Sequence, residues 1–510
     1  MACSADNPTL RRVAVGVFAL GLLVSAAALV RTWYQPILDA HAFRQTQTAI
    51  TSYWLWQGGP FFDYETPTLG APWSIPFELP LYQAIVAGVR SLRIHLDAAG
   101  RLVSWAFFLL TLWQLHALVR KLGGSRHLGL LLCGLLLLSP HYVFWSRAFM
   151  IESTALFFSV AFVSAVASHM RTPTVWSGAA MCALAMLGAL IKVTSFVPFA
   201  IIALLLVLWD LRVRAHRHDA RRWATRYAPV ALAGAVALAA LSLWTRHADA
   251  LKLAHPFGRN LTSANLSPWL YGTLAQRTSL KLWKDVVFGR ALDEALGSGM
   301  VLLATVAAAI VLGRRAVAWA AVLVGLYVIP FLLFTNLHLA HNYYQYSNAL
   351  FAICAVGVVA WHARAGWRRW IGPALVGLLV IAQLERLAQV EWPLMVADKD
   401  SGDTLQIGLG LFDLPANGVL LVFGYDWSAE LAYYARHRAI AVPIWASREQ
   451  LESLRRKPML HTGGLPIVAV VECPSNLHDN PEIGAIFDAI MAEQTGNKQR
   501  TSVGSCTVWR

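Results

Sequence analysis

The feature that most constrains this chain is a succession of apolar runs of roughly 16–22 residues, each bounded by charged or polar flanks. A helix of about 20 such residues spans the hydrocarbon core of a bilayer. The runs predict helices near 13–31, 98–118, 127–142, 150–169, 174–192, 196–212, 228–245, 297–313, 316–334, 344–361 and 370–388, eleven in all. A soluble chain of 510 residues does not reach 57% hydrophobic residues with only 14% charged. The expected fold class is therefore mainly α, a polytopic membrane protein with about 11 transmembrane helices. The first run follows Arg11 and Arg12 as a signal peptide would. Its small residues, Ser25 to Ala28, lie inside the run and not after it, so it reads as a retained helix.

The formal charge of +14 is spread over short loops, which argues for membrane orientation and against nucleic acid as a partner. A shorter run at 79–92 ends in Arg90 and Arg93. If it lies in the interface, one face collects Arg11 and Arg12, Arg120 with Lys121 and Arg126, Arg171, Arg212 to Arg226 with Arg217 among them, Arg314 and Arg315, and Arg364 to Arg369. That face is the cytoplasm. The run 79–92 is then an amphipathic surface helix in a first outer loop covering 32–97. The other outer pieces are 141–152, 246–296 and the C-terminal region from 391. The N-terminus is cytoplasmic and the C-terminal region periplasmic in this topology.

The chain divides by composition into a membrane domain, 1–390, and an outer domain, 391–510. In the latter, strand-like runs at Val419–Val422, Ala439–Ile444, Ile467–Val471 and about Ser502–Trp509 alternate with helical patterns at 428–438, 447–457 and 482–494. This is a small C-terminal extramembrane α/β domain. Cys473 and Cys506 fall at strand ends and are candidates for a disulfide in an oxidising compartment. Cys133, Cys182 and Cys354 lie inside apolar runs as packing residues, and Cys3 has no recognisable lipidation context.

Ionisable groups at a membrane boundary are costly unless partnered or used. The densest set is Leu38-Asp39-Ala40-His41-Ala42-Phe43-Arg44-Gln45-Thr46-Gln47-Thr48-Ala49, just past the first helix. Asp39 is placed to deprotonate an acceptor hydroxyl or amine; its structural alternative is an ion pair with Arg44. Glu152 opens an apolar helix, where a carboxylate suits the positive end. It is also expected to face Asp39 across the outer mouth, with Arg147 in reach of a phosphate. Lys192 ends an apolar run and either snorkels or neutralises a lipid phosphate. In His338-Leu339-Ala340-His341-Asn342-Tyr343-Tyr344-Gln345-Tyr346, the tyrosines fit an interfacial belt. The two histidines there suit a phosphate or, with a carboxylate, a metal. Glu78 and Pro80 suit the start of the surface helix that carries Tyr82. His41, Gln45, Glu78 and Tyr82 are the candidate acceptor and loop residues.

In order along 30–390, these motifs resemble the GT-C superfamily of integral membrane glycosyltransferases. They look closest to the branch containing protein O-mannosyltransferases and the lipid A aminoarabinose transferase. The resemblance rests on Asp39 with Arg44 to Ala49, Pro80-Leu81-Tyr82, Arg101-Leu102, Arg147 to Glu152, Lys192, and His341-Asn342-Tyr343-Tyr344. It implies a polyprenyl-phosphate-linked sugar donor, and an envelope glycan, lipid or protein acceptor. The setting it implies is the outer face of a bacterial inner membrane. Asp39 and Glu152 would be the catalytic carboxylates; Arg44, Arg147, Lys192, His341 and Tyr344 would hold the donor phosphate. Glu152 stands where many relatives have Asp, and Glu78 where they often place Lys or His. No nucleotide-binding fingerprint and no compact metal-ligand triad is present, which favours transfer without a metal and leaves a divalent cation open. Beyond substrates, the implied partners are membrane lipids. The competing readings are a transporter or flippase of lipid-linked glycans, a polymerase or ligase using them, and a structural assembly protein. A transporter predicts internal repeats and polar residues deep within spans; the polar cluster here lies on one face.

Overall fold

The structure is a computed structural model that describes residues 7–214, 220–364 and 366–510. Cys3 and Arg217 lie outside the described residues. The chain forms two compact units. One comprises residues 7–33, 101–243 and 267–396; the other comprises 34–100, 244–266 and 397–510. The second unit thus takes in parts of the outer loops as well as the C-terminal region, whereas composition alone places the boundary near 390.

The first unit is helical. Among the described residues seven helices are long and apolar enough to cross a membrane, or eight if the pair Lys281–Leu296 and Met300–Leu312, bent by 87°, counts as one span. Against the count of eight, two of the eleven expected spans fall short and two others merge into one. The run 127–142 is cut at Ser139, whose backbone is extended ahead of Pro140. The ring of a proline disfavours helix in the residue before it. The remaining helix Arg126–Leu138 has 13 residues, about 20 Å, and is short for a bilayer. Glu152–His169 forms as a helix but carries several serines on its buried surface. The runs 174–192 and 196–212 appear as Val175–Arg214, broken at Lys192 (φ −164°, ψ 94°).

Ala349–Trp361 is buried along its whole length, so it forms the centre of this unit. The helices around it bury only about a third of their apolar windows, as in Pro8–Arg31, Arg314–Leu333 and Gly366–Val396. Their outward side chains, among them Leu23, Trp113, Leu238, Ile310 and Ile381, are exposed. Such a surface is the one lipid covers. Helices Pro8–Arg31 and Arg126–Leu138 meet through glycines: a Cβ on Gly134 would lie 2.6 Å from Phe18 N, and one on Gly21 2.9 Å from Gly134 O.

In the second unit the sheet comprises β1 (Val419–Phe423), β2 (Arg438–Ala441), β3 (Ile467–Glu472), β4 (Arg500–Val503) and β5 (Cys506–Trp509), in the order β2-β1-β3-β5-β4. The first three are parallel; β5 runs antiparallel to β3 and β4. The expected single strand at 502–509 is a hairpin that turns at Gly504, where φ is +58°. Cys473 and Cys506 form a disulfide joining the end of β3 to the start of β5. The outer edge of β2 is covered by the first loop. Ala439 and Ala441 donate to the carbonyls of Pro67 and Thr68, and Gly70 donates to Ala439 O. That pairing satisfies an edge that would otherwise present open backbone groups, and it explains why 34–100 belongs with the C-terminal region. The surface helix forms over Leu81–Arg90, and the acidic stretch leads into a second helix, Ala42–Trp56.

Candidate active site

In the first unit Lys192 sits at the helix break, so its side chain leaves a backbone that no longer follows the cylinder. Its ammonium pairs with the Glu152 carboxylate, and both residues are buried, at 7% and 2% exposure. Glu152 opens helix Glu152–His169, where the axial dipole favours a negative charge. The same ammonium lies 4.2 Å from the Tyr344 ring centroid and 5.1 Å from that of Tyr343. Both rings belong to the 3-10 turn Tyr343–Tyr346. The ammonium is thus caged between a carboxylate and two π faces.

The rest of the cluster builds outward from this cage. The His341 ring stacks on Tyr343 at 5.3 Å and lies 5.8 Å from Trp269. Arg147 is buried, its guanidinium 4.7 Å over the Phe144 ring. Ser153 bonds the Tyr346 hydroxyl at 2.9 Å. Glu294 accepts from Asn342 at 2.9 Å and pairs with His141 at 3.1 Å. Arg290, at the end of the π-helical segment Lys281–Arg290, donates to His338 O. Burial, with the Arg290 and Lys192 charges nearby, pushes the His338 imidazole down to about 3 and holds it neutral. Several buried polar atoms here have no hydrogen-bond partner among the described residues: Glu152 Oε2, both amide atoms of Gln345, His338 Nδ1 and Arg290 Nε. Folded interiors seldom leave such atoms unpaired, so the cluster retains hydrogen-bonding capacity suited to a polar ligand.

In the second unit the acidic stretch forms a turn and a helix start. His41 adopts a left-handed conformation (φ 55°) immediately before helix Ala42–Trp56, and its carbonyl accepts from Arg44 N and Gln45 N. Its visible role is to turn the chain. Gln45 Nε2 donates to Asp39 and, at 3.0 Å, to Ala40 O. Arg44 pairs with Glu78. A shallow polar cleft adjoins this pair and is lined by Gln47, Thr48, Thr51 and Gln83. Tyr82 is buried and donates to Gly100 O at 2.9 Å, which places its hydroxyl in helix packing.

Sequence reasoning picked out Glu152, Arg147, Lys192, His341 and Tyr344, which fall in the first unit, and Asp39, His41, Arg44, Gln45, Glu78 and Tyr82, which fall in the second. It missed His141, Arg290 and Glu294. The one available signal was an acidic pair, Asp293 and Glu294, just ahead of an apolar run. Among the described residues no three His, Cys, Asp or Glu side chains gather as a metal site.

In fold the chain is similar to ArnT from Cupriavidus metallidurans. Against the crystal structure of that protein bound to undecaprenyl phosphate the TM-score is 0.61, at 14% identity over 97% of each chain. Against its apo structure the TM-score is 0.57, at 14% identity over 98% of each. Neither a family model nor a curated protein matches the sequence. At this identity the likeness is one of architecture: the chain has an ArnT-like fold.

Proposed function

We propose that this GT-C-like chain is a membrane glycosyltransferase that moves a sugar from a polyprenyl-phosphate-linked donor to an envelope glycan, lipid or protein. The observation that carries the reading is the buried cluster around Lys192, with its cations, tyrosines and unpaired polar atoms, in a fold whose solved counterpart binds undecaprenyl phosphate. A lipid-linked donor accounts for a polar site set within apolar helices.

The reaction breaks the bond between the anomeric carbon and the phosphate oxygen and forms one to an acceptor oxygen or nitrogen. Negative charge grows on the departing phosphate, and fixed cations stabilise it without reorganising. Lys192 is the first candidate for that role, with Arg147, Arg290, His341 and the Tyr344 hydroxyl as further donors. Glu152 holds Lys192 in place. On the acceptor side Asp39 takes the proton as the nucleophile attacks, a contribution of about a hundred- to ten-thousand-fold. Gln45 orients that carboxylate. Arg44, paired with Glu78, shapes the polar cleft beside it in place of a donor-phosphate role. The setting we propose is a bacterial inner membrane with the second unit in the periplasm, which the Cys473–Cys506 disulfide supports.

The test is sugar transfer by purified protein with a panel of polyprenyl-phosphate sugars, scored by release of polyprenyl phosphate. Wild type should release it; Asp39→Asn should lower turnover at least a hundredfold, and Lys192→Gln should weaken donor use by ten- to a hundredfold. Full turnover in Asp39→Asn would remove Asp39 from the mechanism. Absence of turnover with every donor, alongside tight binding of lipid-linked glycan, would favour a transporter.

A further inference from the structure

The second unit contains a pocket that the proposed reaction does not use. It is small and open, about 100 Å³, and walled by the aromatic side chains of Tyr53, Trp56 and Phe412. Trp56 is 36% exposed and Phe412 42%, although both are large apolar groups. Two arginines lie on these rings. The Arg90 guanidinium is 4.8 Å over Trp56, and that of Arg436 is 4.9 Å over Phe412 and 5.9 Å from Tyr53. A ring on the face of a guanidinium fixes its plane and leaves the N–H edge for an acceptor such as a carboxylate or phosphate. One Arg90 nitrogen donates to Ile94 O at 3.1 Å, which anchors that side chain further. His95 adds a third nitrogen group at the rim.

The opposing charge in the pocket is already engaged. Asp97 is buried and accepts from the Tyr433 hydroxyl and, at 3.3 Å, from that of Tyr434. Flat aromatic walls suit the C–H face of a sugar ring, and fixed guanidinium edges suit an anionic substituent on it. We propose that this pocket binds a saccharide carrying an acidic group. The Tyr434 hydroxyl also accepts from Ile37 N at 2.8 Å, two residues before Asp39, so the pocket wall and the acidic stretch share one framework. Its role as an acceptor subsite rests on the transferase reading; its capacity to bind such a sugar does not.

The experiment is calorimetric titration of the purified full chain in detergent with glucose 1-phosphate, with glucuronate, and with glucose as the neutral control. Both anionic sugars should bind saturably and glucose at least tenfold more weakly. Arg90→Gln and Arg436→Asn, the latter chosen because asparagine tolerates the left-handed backbone at that position, should each weaken binding about tenfold or more. Unchanged melting temperatures would show that the variants are folded. Trp56→Phe should remove the sugar-induced change in tryptophan fluorescence. Equal binding of glucose and its phosphate, or undiminished binding in both arginine variants, would overturn the proposal. So would binding of phosphatidylglycerol vesicles through these arginines without binding of either soluble sugar, which would identify a lipid headgroup site. Asp39→Asn should retain the sugar binding, so failure of the transferase reading and failure of this site give different results.

Discussion

An ammonium buried in an apolar interior costs several kcal/mol unless an opposite charge compensates it. Lys192 meets that condition through Glu152, and the two residues answer for each other. Glu152→Gln therefore leaves a lysine uncompensated and should lower stability by about 3–5 kcal/mol. The double variant Glu152→Leu with Lys192→Met should regain most of that stability yet transfer no sugar. Chemical unfolding in detergent, run beside donor turnover, measures both; a Glu152→Gln protein as stable as wild type would rule out the pair as a structural element. At this scale Lys192, Glu152 and His341 were legible because an ionisable group stands out inside apolar sequence. Their partners were not. His141 and Glu294 lie 153 residues apart, and only the folded chain makes them a pair. Tyr82, conspicuous beside a motif, is buried with its hydroxyl bonded to Gly100 O.

Elements were legible where one period dominates, as in the parallel strands and the long spans. They were not where a single residue overrides the pattern: Pro140 ends a helix, Lys192 marks a break, and Gly504 folds one apparent strand into a hairpin. Close contact between Pro8–Arg31 and Arg126–Leu138 depends on Gly134, where even a methyl group would meet backbone. Lacking a hydrophobic drive between helices, membrane segments rely on such close approach. Gly134→Ala should lower the melting temperature markedly, whereas Gly16→Ala on the first of these helices, where a Cβ meets nothing, should leave it unchanged. In the second unit His255 ties two loops. Its Nε2 bonds Gly70 O at 2.9 Å, while Nδ1 accepts from Phe257 N and Gly258 N. Nδ1 must stay unprotonated for these bonds, and burial pushes the imidazole down to about 4. The unfolded chain takes up this proton first as pH falls. Stability is therefore complete above about 6.5 and declines between there and about 4. Melting temperatures across that range should fall for wild type and fall less steeply for His255→Gln.

For the whole molecule the governing constraint is that basic loops stay in the cytoplasm. If eleven spans are crossed, as the apolar runs predict, with the surface helix Leu81–Arg90 outside that count, the C-terminal region lies on the opposite side from Arg11 and Arg12. The disulfide supplies an independent reason, because cytosolic reductants keep thiols reduced. Among the described residues Cys133, Cys182 and Cys354, by contrast, are free thiols, with Cys133 and Cys354 buried among helices. The expected outcome in spheroplasts is specific. A membrane-impermeant maleimide should label nothing at Cys473 or Cys506 until an impermeant reductant is added, and should then label both without lysis. Labelling that requires lysis would place the C-terminal region in the cytoplasm and invert the topology, whereas labelling of intact spheroplasts without reductant would show the two thiols free and periplasmic. A periplasmic second unit would in turn require that the acceptor arrive from the periplasm, so the labelling result decides which pool of envelope molecules is worth screening as acceptors.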